Sequence, residues 1–128
     1  MIDNALIAAA ERAARLAHCP YSHFRVGAAV LADGKVFSGC NVENASLGLT
    51  ICAERVAIFS AVAAGCKHLT DVAISCPDAA PEGRPSSHMP CGACRQVMAE
   101  FGDATTRVHV QGIGTFQLGE LLQHPFRL

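Results

Sequence analysis

Two short segments, Cys52-Ala53-Glu54-Arg55 and Pro90-Cys91-Gly92-Ala93-Cys94, constrain the fold of this chain more than any other feature. Together they carry three thiols and one carboxylate. Three protein ligands leave the fourth position of a tetrahedral Zn²⁺ open, as in catalytic zinc sites. A carboxylate that is not a ligand can then move protons beside the metal. If the thiols share one metal, the two segments must meet in the folded protein.

Each segment is expected at the start of a helix. Cys91 and Cys94 are three residues apart, which places both thiols on one helix face. Residues two apart do not share a helix face, so Cys52 and Glu54 converge only near the tip of a helix. Two helix N-termini would then point at one metal, and their positive dipole ends favour thiolate over thiol.

Three thiolates on Zn²⁺ would leave the site with a net negative charge, which opposes acidification of a bound water. Arg55 and Arg95 directly follow the ligand segments. We therefore expect one or both guanidinium groups to donate hydrogen bonds to the thiolates and to withdraw charge from them.

Composition limits the class of protein. With 51% hydrophobic and 16% charged residues, the 128-residue chain is expected to fold as a single domain, residues 1–128. Seven cysteines, an odd number, favour free thiols and a metal over disulfides. A net charge of −1 without a basic stripe argues against nucleic acid as a partner and favours a small, nearly neutral substrate.

Targeting signals are not evident in the sequence. The longest apolar runs, such as residues 26–32, are too short for a membrane span. The first residues, Met1-Ile2-Asp3-Asn4, lack a basic region followed by an apolar stretch. We therefore expect an unprocessed cytoplasmic protein.

Hydrophobic periodicity predicts four helices and five strands. The predicted helices cover residues 3–17, 50–64, 91–101 and 119–123, and the predicted strands cover residues 25–31, 35–40, 71–75, 107–111 and 115–118. Asp33-Gly34 is a hairpin turn signal between the first two strands. Residues 41–49 are predicted to form a polar loop, and residues 76–89, with three prolines, a long one.

This order of elements predicts an α/β fold, a three-layer α/β/α sandwich with a mixed five-stranded sheet. Strands separated by a helix are expected to pair in parallel through right-handed crossovers. The opening hairpin must be antiparallel, so the sheet is mixed.

Four segments show that the chain resembles the small homotetrameric cytidine deaminases. They are Tyr21-Ser22-His23-Phe24-Arg25-Val26-Gly27-Ala28-Ala29, Gly39-Cys40-Asn41-Val42-Glu43-Asn44-Ala45, Thr50-Ile51-Cys52-Ala53-Glu54-Arg55 and Pro90-Cys91-Gly92-Ala93-Cys94-Arg95-Gln96-Val97. Their order and spacing are specific, and they extend over most of the chain. The three-cysteine ligand set resembles that of the tetrameric branch.

The resemblance implies roles for the metal segments. Cys52, Cys91 and Cys94 would bind one Zn²⁺ per subunit. Glu54 would carry a proton to N3 of the pyrimidine and then to the leaving amine. Arg55 would relieve the charge on the thiolates, in agreement with the charge argument above.

The resemblance also implies the substrate contacts. Asn41 and Glu43 would hold the ribose hydroxyls, Phe24 would pack against the base, and backbone groups near Ala53 and Cys91 would contact the exocyclic groups. Taken from the residues alone, Asn41 is equally well a turn residue and Glu43 a solvated charge. For Phe24, the residues alone favour a core aromatic, and only the resemblance implies a contact with the base.

Three features depart from the family pattern. Leu47 stands where a tyrosine often reaches a neighbouring subunit's site, Met89 stands where a serine is common, and the 76–89 loop is longer. Ala45, Leu47 and Phe126 are the positions at which the resemblance implies contacts between subunits. For Phe126 the alternative is packing in the core.

The predicted function is zinc-dependent hydrolytic deamination of cytidine and 2′-deoxycytidine to uridine and 2′-deoxyuridine plus ammonia, in pyrimidine salvage, by a cytoplasmic homotetramer. One alternative is a deaminase of a modified pyrimidine nucleoside or an aminonucleoside antibiotic on the same fold. The other is a structural-zinc interaction module, which would need a fourth protein ligand. Cys40, Cys76 and His88 are available for that role.

Overall fold

The computed structural model describes residues 2–80 and 83–128. The helices are α1 (Ile2–Ala14), α2 (Ala53–Ala63), α3 (Gly92–Phe101) and α4 (Leu118–Leu121), and the strands are β1 (Gly27–Ala32), β2 (Lys35–Cys40), β3 (Leu69–Ser75), β4 (Arg107–Val110) and β5 (Gly114–Gln117). Short 3₁₀ turns cover Leu47–Leu49 and Pro85–Ser87. The predicted order of elements is therefore confirmed. No helix within the described residues is both long and apolar enough to cross a membrane.

The five strands form one mixed sheet in the order β2-β1-β3-β4-β5. β1 is antiparallel to both β2 and β3, β3 is parallel to β4, and β4 is antiparallel to β5. Parallel pairing across a helix is thus confirmed for β3 and β4. It is wrong for β2 and β3, because the connection through α2 passes over β1 and places β3 on the free edge of β1. β2 and β3 run in the same direction without pairing.

Helices cover both faces of the sheet, which confirms the three-layer prediction. Successive residues of a strand point to opposite faces. Accordingly, Ala28 and Val30 belong to the larger core beneath α2 and α3, while Ala29 packs against α1. The smaller core consists of Leu6, Ala9, Ala10, Ala29 and Ala73.

Two glycines allow helices to approach the sheet closely. A Cβ atom on Gly27 would lie 1.9 Å from the carbonyl oxygen of Ala10 in α1, and one on Gly39 would lie 2.5 Å from the amide nitrogen of Ala57 in α2. No side chain fits at these distances. Gly39 in particular brings the sheet against the helix whose first turn carries Cys52.

The predicted hairpin turn is confirmed. Asp33 has φ 49° and Gly34 has φ 77°, the pair of positive values that matches the twist of a two-residue hairpin. The Asp33 carboxylate also accepts hydrogen bonds from the amides of Lys67 (2.8 Å) and His68 (3.1 Å). These bonds attach the turn to the chain that enters β3.

Two element boundaries differ from prediction because side chains or tighter turns take over the backbone hydrogen bonds. α1 ends at Ala14 rather than at residue 17, because the next amides bond to carbonyls three residues back, Ala17 to Ala14 at 3.2 Å. β1 begins at Gly27 rather than at residue 25, because the Arg25 and Val26 amides donate to the side chains of Asp78 and Asn41.

At the metal segment, α2 begins at Ala53 rather than at residue 50. Ile51 instead pairs with Val42 in an isolated antiparallel bridge, which leaves Cys52 as the N-cap residue. At the other end of the chain, the side chains of Gln117 and Glu120 form a capping box, so α4 begins one residue early, at Leu118.

Candidate active site

The three predicted thiols lie together at the tips of two helices. Cys52 is the N-cap residue of α2, Cys91 is the N-cap residue of α3, and Cys94 lies in the first turn of α3. The Cys52 and Cys91 sulfurs are 3.9 Å apart, the Cys91 and Cys94 sulfurs are 3.5 Å apart, and all three lie within 4.8 Å of one another. A tetrahedral Zn²⁺ with Zn–S bonds of about 2.3 Å separates its sulfurs by about 3.8 Å. The cluster therefore fits a zinc ion.

The surroundings favour an ionised thiol at Cys52. The Cys94 thiol as a hydrogen-bond donor, followed by the Arg55 guanidinium, lowers the pKa of Cys52 to about 5. The same bond, together with burial, raises the pKa of Cys94. One thiolate is thus already present at neutral pH, and a bound metal favours ionisation of its remaining thiol ligands.

Arg55 is the arginine that lies against the sulfurs. Its Nη2 donates to the Cys52 sulfur at 3.5 Å, and this bond raises the pKa of Arg55. Arg55 follows Cys52 by three residues, so both lie on one side of α2. Among the described residues, the Arg55 Nε is the buried side-chain nitrogen for which no acceptor is found.

Arg95 has a different position, because neighbouring residues of a helix point about 100° apart and Arg95 directly follows Cys94. Its Nε donates to the carbonyl of Pro90 at 2.8 Å, and its Nη1 donates to the carbonyl of Leu121 at 2.7 Å. Arg95 therefore binds the chain just before Cys91 and the end of α4. Of the two arginines, Arg55 is the one with a described hydrogen bond to a sulfur of the cluster.

Glu54 is almost completely buried beside the thiols, in the first turn of α2, with 4% of its surface exposed. Burial, aided by the negative charge of Cys52, outweighs the opposing backbone hydrogen bond and Arg55 charge and raises the pKa of Glu54 to about 7. A divalent cation held by the thiolates would act in the opposite direction. A carboxylate whose pKa lies near neutrality can both accept and donate a proton.

A cavity of about 180 Å³ opens beside the cluster. It is lined by Val26, Asn41, Thr50, Cys52, Ala53, Glu54, Ile74, Cys76, Ser87, His88, Met89 and Cys91. Asn41 and Ala53 are the predicted substrate residues that lie in it. Sequence reasoning did not name Thr50, Ser87 or His88 as cavity residues, although the adjacency of the last two to the ligand segment was a usable signal.

Asn41 links the cavity to the chain that precedes β1. Its Oδ1 accepts the Val26 amide at 2.9 Å, and its Nδ2 donates to the Phe24 carbonyl at 2.8 Å. The Oδ1 and Nδ2 atoms of an asparagine can each form a second hydrogen bond. Asn41 can therefore hold this backbone and still contact a ligand.

Glu43 and Phe24 are placed differently from Asn41. The Glu43 carboxylate accepts the amides of Tyr21 and Ser22, both at 3.1 Å, and the Ser22 hydroxyl at 2.5 Å. The Ser22 hydroxyl bond lowers the pKa of Glu43. Of the described residues, those that line the cavity include neither Glu43 nor Phe24. Phe24 lies two residues before Val26 of the cavity wall, and Glu43 is held against residues 21–22 by these hydrogen bonds.

The three positions expected to contact a neighbouring subunit are on the surface. Ala45 is exposed, Leu47 is 74% exposed and Phe126 is 69% exposed. The exposed ring contradicts core packing for Phe126. Gln96 in α3 holds the Phe126 backbone through a pair of hydrogen bonds, Nε2 to the carbonyl at 2.9 Å and the amide to Oε1 at 3.2 Å.

A structural zinc site would need a fourth protein ligand near the three sulfurs. Within the described residues, the group whose ligand atoms lie close enough to share a metal is limited to Cys52, Cys91 and Cys94. Cys76 lines the cavity, but its sulfur is not part of this close group. The three-ligand arrangement with an adjacent cavity is typical of catalytic zinc.

Comparison with known proteins agrees with this arrangement. The family model for the cytidine and deoxycytidylate deaminase zinc-binding region matches residues 1–110. A cytidine deaminase of Halalkalibacterium halodurans is 47% identical over 126 residues, covering 94% of this chain and 91% of that protein. A probable cytidine deaminase of Dictyostelium discoideum is 51% identical over 98 residues, covering 76% of this chain and 63% of that longer protein.

Solved structures give the same result. The crystal structure of cytidine deaminase from Burkholderia pseudomallei superimposes with a TM-score of 0.84 and 47% identity, covering 98% of this chain and all of that one. The three-sulfur cluster described above fits the zinc that the family model names. The chain therefore belongs to the cytidine deaminase family of zinc-dependent hydrolases.

Proposed function

We propose that this enzyme hydrolyses cytidine and 2′-deoxycytidine to uridine and 2′-deoxyuridine plus ammonia, with one zinc per chain on Cys52, Cys91 and Cys94. The observation that carries the proposal is the cluster of three sulfurs within 4.8 Å, at two helix N-termini beside buried Glu54. The cavity next to this cluster supplies the place for a small substrate.

Zinc, when bound, lowers the pKa of a coordinated water to about 7 and so supplies a nucleophile at neutral pH. The chain's own residues set the charge at this position. The N-termini of α2 and α3 and the Arg55 guanidinium direct positive charge at the sulfurs. This compensates the negative charge of three thiolates, which would otherwise weaken the acidification of the water.

Glu54 is the proton carrier in this proposal. Its carboxylate would accept one proton from the attacking water and deliver it to N3 of the pyrimidine. It would then accept the second proton from the hydroxyl group now on C4 and deliver it to the departing amine. Its position supports this role, because a buried carboxylate beside the three thiols is within reach of the proposed reaction and shielded from bulk water.

The remaining substrate contacts follow from the cavity wall. Asn41 retains one acceptor and one donor position for a ribose hydroxyl. Phe24, whose carbonyl accepts from Asn41, and Glu43, which is bonded to Tyr21, would complete the nucleoside site. The Ala53 amide lies in the first turn of α2, where helix N–H groups have no partner within the helix, so it can donate to the base.

A modified pyrimidine nucleoside remains the second candidate substrate. Met89 lies in the cavity wall, where the family often has serine, and a flexible thioether there widens the range of bases that can pack. A small-molecule substrate is common to both candidates.

The assembly, location and pathway are also part of the proposal. The exposed Leu47 and Phe126 support a homotetramer with contacts near the active sites, in which Ala45 takes part. Residues 1–128 would form a single domain in each subunit. Cytoplasmic pyrimidine salvage is the setting that fits a nucleoside substrate.

The test is the loss of the cytidine absorbance band on addition of pure protein, with zinc content measured in parallel. Conversion to uridine that a zinc chelator stops and Glu54→Ala abolishes, with zinc still bound, is the expected result. Glu100→Ala, an exposed glutamate of α3, is the matched control and should retain activity. Near-normal turnover by Glu54→Ala would refute the proton-transfer role.

A further inference from the structure

The backbone of residues 24–26 leads into β1, which begins at Gly27, and its last residue, Val26, lines the cavity. Its three amides do not enter the strand ladder, and each donates instead to a side-chain oxygen. The acceptors are Ser22 Oγ at 3.0 Å, Asp78 Oδ2 at 2.9 Å and Asn41 Oδ1 at 2.9 Å. The path of this segment is therefore set by side chains that arrive from elsewhere in the chain.

Asp78 is the acceptor that lies on the chain leaving β3, the strand that pairs with β1. It follows Cys76, a cavity residue directly after β3, by two positions. Its carboxylate accepts three hydrogen bonds from Arg25, from the backbone amide at 2.9 Å, from Nε at 2.9 Å and from Nη2 at 2.7 Å. One carboxylate thus connects the chain that leaves β3 to the chain that enters β1, just beyond the paired residues Gly27 and Ser75.

The Arg25–Asp78 contact fixes the relative position of two chain segments but adds little to the stability of the fold. The guanidinium hydrogen bonds hold the pKa of Asp78 at about 2, so the carboxylate is charged throughout the neutral range. Exposed ion pairs contribute little to folding stability. A two-pronged guanidinium contact with an added backbone bond nevertheless fixes the relative position of two chain segments.

We propose that Asp78 is a positioning residue for the substrate cavity. By accepting the Arg25 amide, it holds the chain between Phe24 and Val26, which the pairing of β1 with β3 does not reach. This inference rests on the proposed cytidine deaminase function. Asp78 touches neither the thiols nor Glu54 in any described hydrogen bond, so its effect falls on substrate affinity and not on the chemical step.

The experiment measures KM and kcat for cytidine together with zinc content. In Asp78→Ala we expect KM to rise about tenfold, equivalent to about 1.4 kcal/mol, with kcat within about twofold of wild type and zinc retained. Arg25→Ala keeps the backbone amide, so its KM should rise less. Asp103→Ala is the matched control, an exposed aspartate that accepts the Thr105 amide before β4, and its KM should stay at the wild-type value.

Hydrogen exchange gives a readout that does not depend on turnover. Amides of residues 24–26 should exchange faster in Asp78→Ala and not in Asp103→Ala. A wild-type KM in Asp78→Ala would overturn the proposal, as would an equal rise in Arg25→Ala or in Asp103→Ala. Failure of the wild-type enzyme to deaminate cytidine would instead refute the proposed function, and the exchange measurement would still decide whether Asp78 holds this segment.

Discussion

Replacing Asp71 by asparagine should destabilise the fold by about 2 kcal/mol at neutral pH. Asp71 is 1% exposed in β3 and bonds to two residues of β4. Arg107 donates to it through Nε at 2.8 Å and Nη2 at 2.9 Å, and the His109 Nε2 lies 2.8 Å from Oδ2. The substitution keeps the shape of the side chain and removes its charge.

The magnitude follows from the pKa of this carboxyl. Burial alone raises the pKa of Asp71, but the bonds from Arg107 and His109 outweigh it and bring the pKa down to about 2, from 3.8 for an ordinary aspartate. A pKa difference of one unit corresponds to about 1.4 kcal/mol, which gives about 2 kcal/mol for the charged form. Losing one partner of a fully buried ion pair costs about 3–5 kcal/mol. The smaller value applies here because the Arg107 side chain is 57% exposed and stays hydrated when Asp71 loses its charge.

The sign of the pH dependence also follows. A depressed carboxyl pKa contributes its stability above the unfolded value of 3.8, and this contribution is lost as the pH falls through about 2. The difference between wild type and Asp71→Asn should therefore stay constant from about pH 7 to pH 5 and shrink at lower pH.

Urea unfolding of both proteins, followed by circular dichroism at several pH values, measures this difference. Asp103→Asn serves as the control, because its side chain is 52% exposed and its loss should cost under about 0.5 kcal/mol. A loss in Asp71→Asn no larger than in Asp103→Asn, or a difference that grows below about pH 4, would refute the reasoning.

Two further predictions follow from the contacts of the site. Arg55→Gln should lower zinc affinity about 10- to 100-fold, because it removes a hydrogen bond to a metal ligand. Arg95→Gln is the control and should leave zinc affinity near the wild-type value. Competition with a chromogenic chelator measures the affinity of both variants. Gly39→Ala should destabilise the protein by about 1–3 kcal/mol through overpacking against α2. Gly48→Ala should leave stability unchanged, because a Cβ atom there meets no atom within 4 Å. Thermal unfolding of both variants measures the difference. Equal effects within either pair would contradict the contact on which the prediction rests.

The local elements were predictable because their signals are local. The two-residue turn at Asp33 and Gly34 needs only the conformational tolerance of those residues, and the structure has the required positive φ values. The metal segment was predictable for the same reason. A three-residue spacing between Cys91 and Cys94 at a helix start determines that both sulfurs face one way, and their distance of 3.5 Å agrees.

Element boundaries were less predictable because they depend on partners that arrive from distant positions. β1 begins late only because Asp78 and Asn41 take the amides of Arg25 and Val26. The same holds for Glu43, whose carboxylate is engaged by the 21–22 turn. No periodicity in the sequence encodes which backbone amides will be left without a strand partner.

By itself, then, the sequence determined the set of elements, the layer architecture and the thiol-plus-carboxylate chemistry, because residue types and short spacings carry them. The tertiary structure alone decided that β3 pairs with β1 and not with β2, and that Arg55 and not Arg95 meets the sulfurs. Both outcomes depend on which edge or acceptor remains free once other parts of the chain are packed. Such competition between distant partners is resolved only in the folded protein.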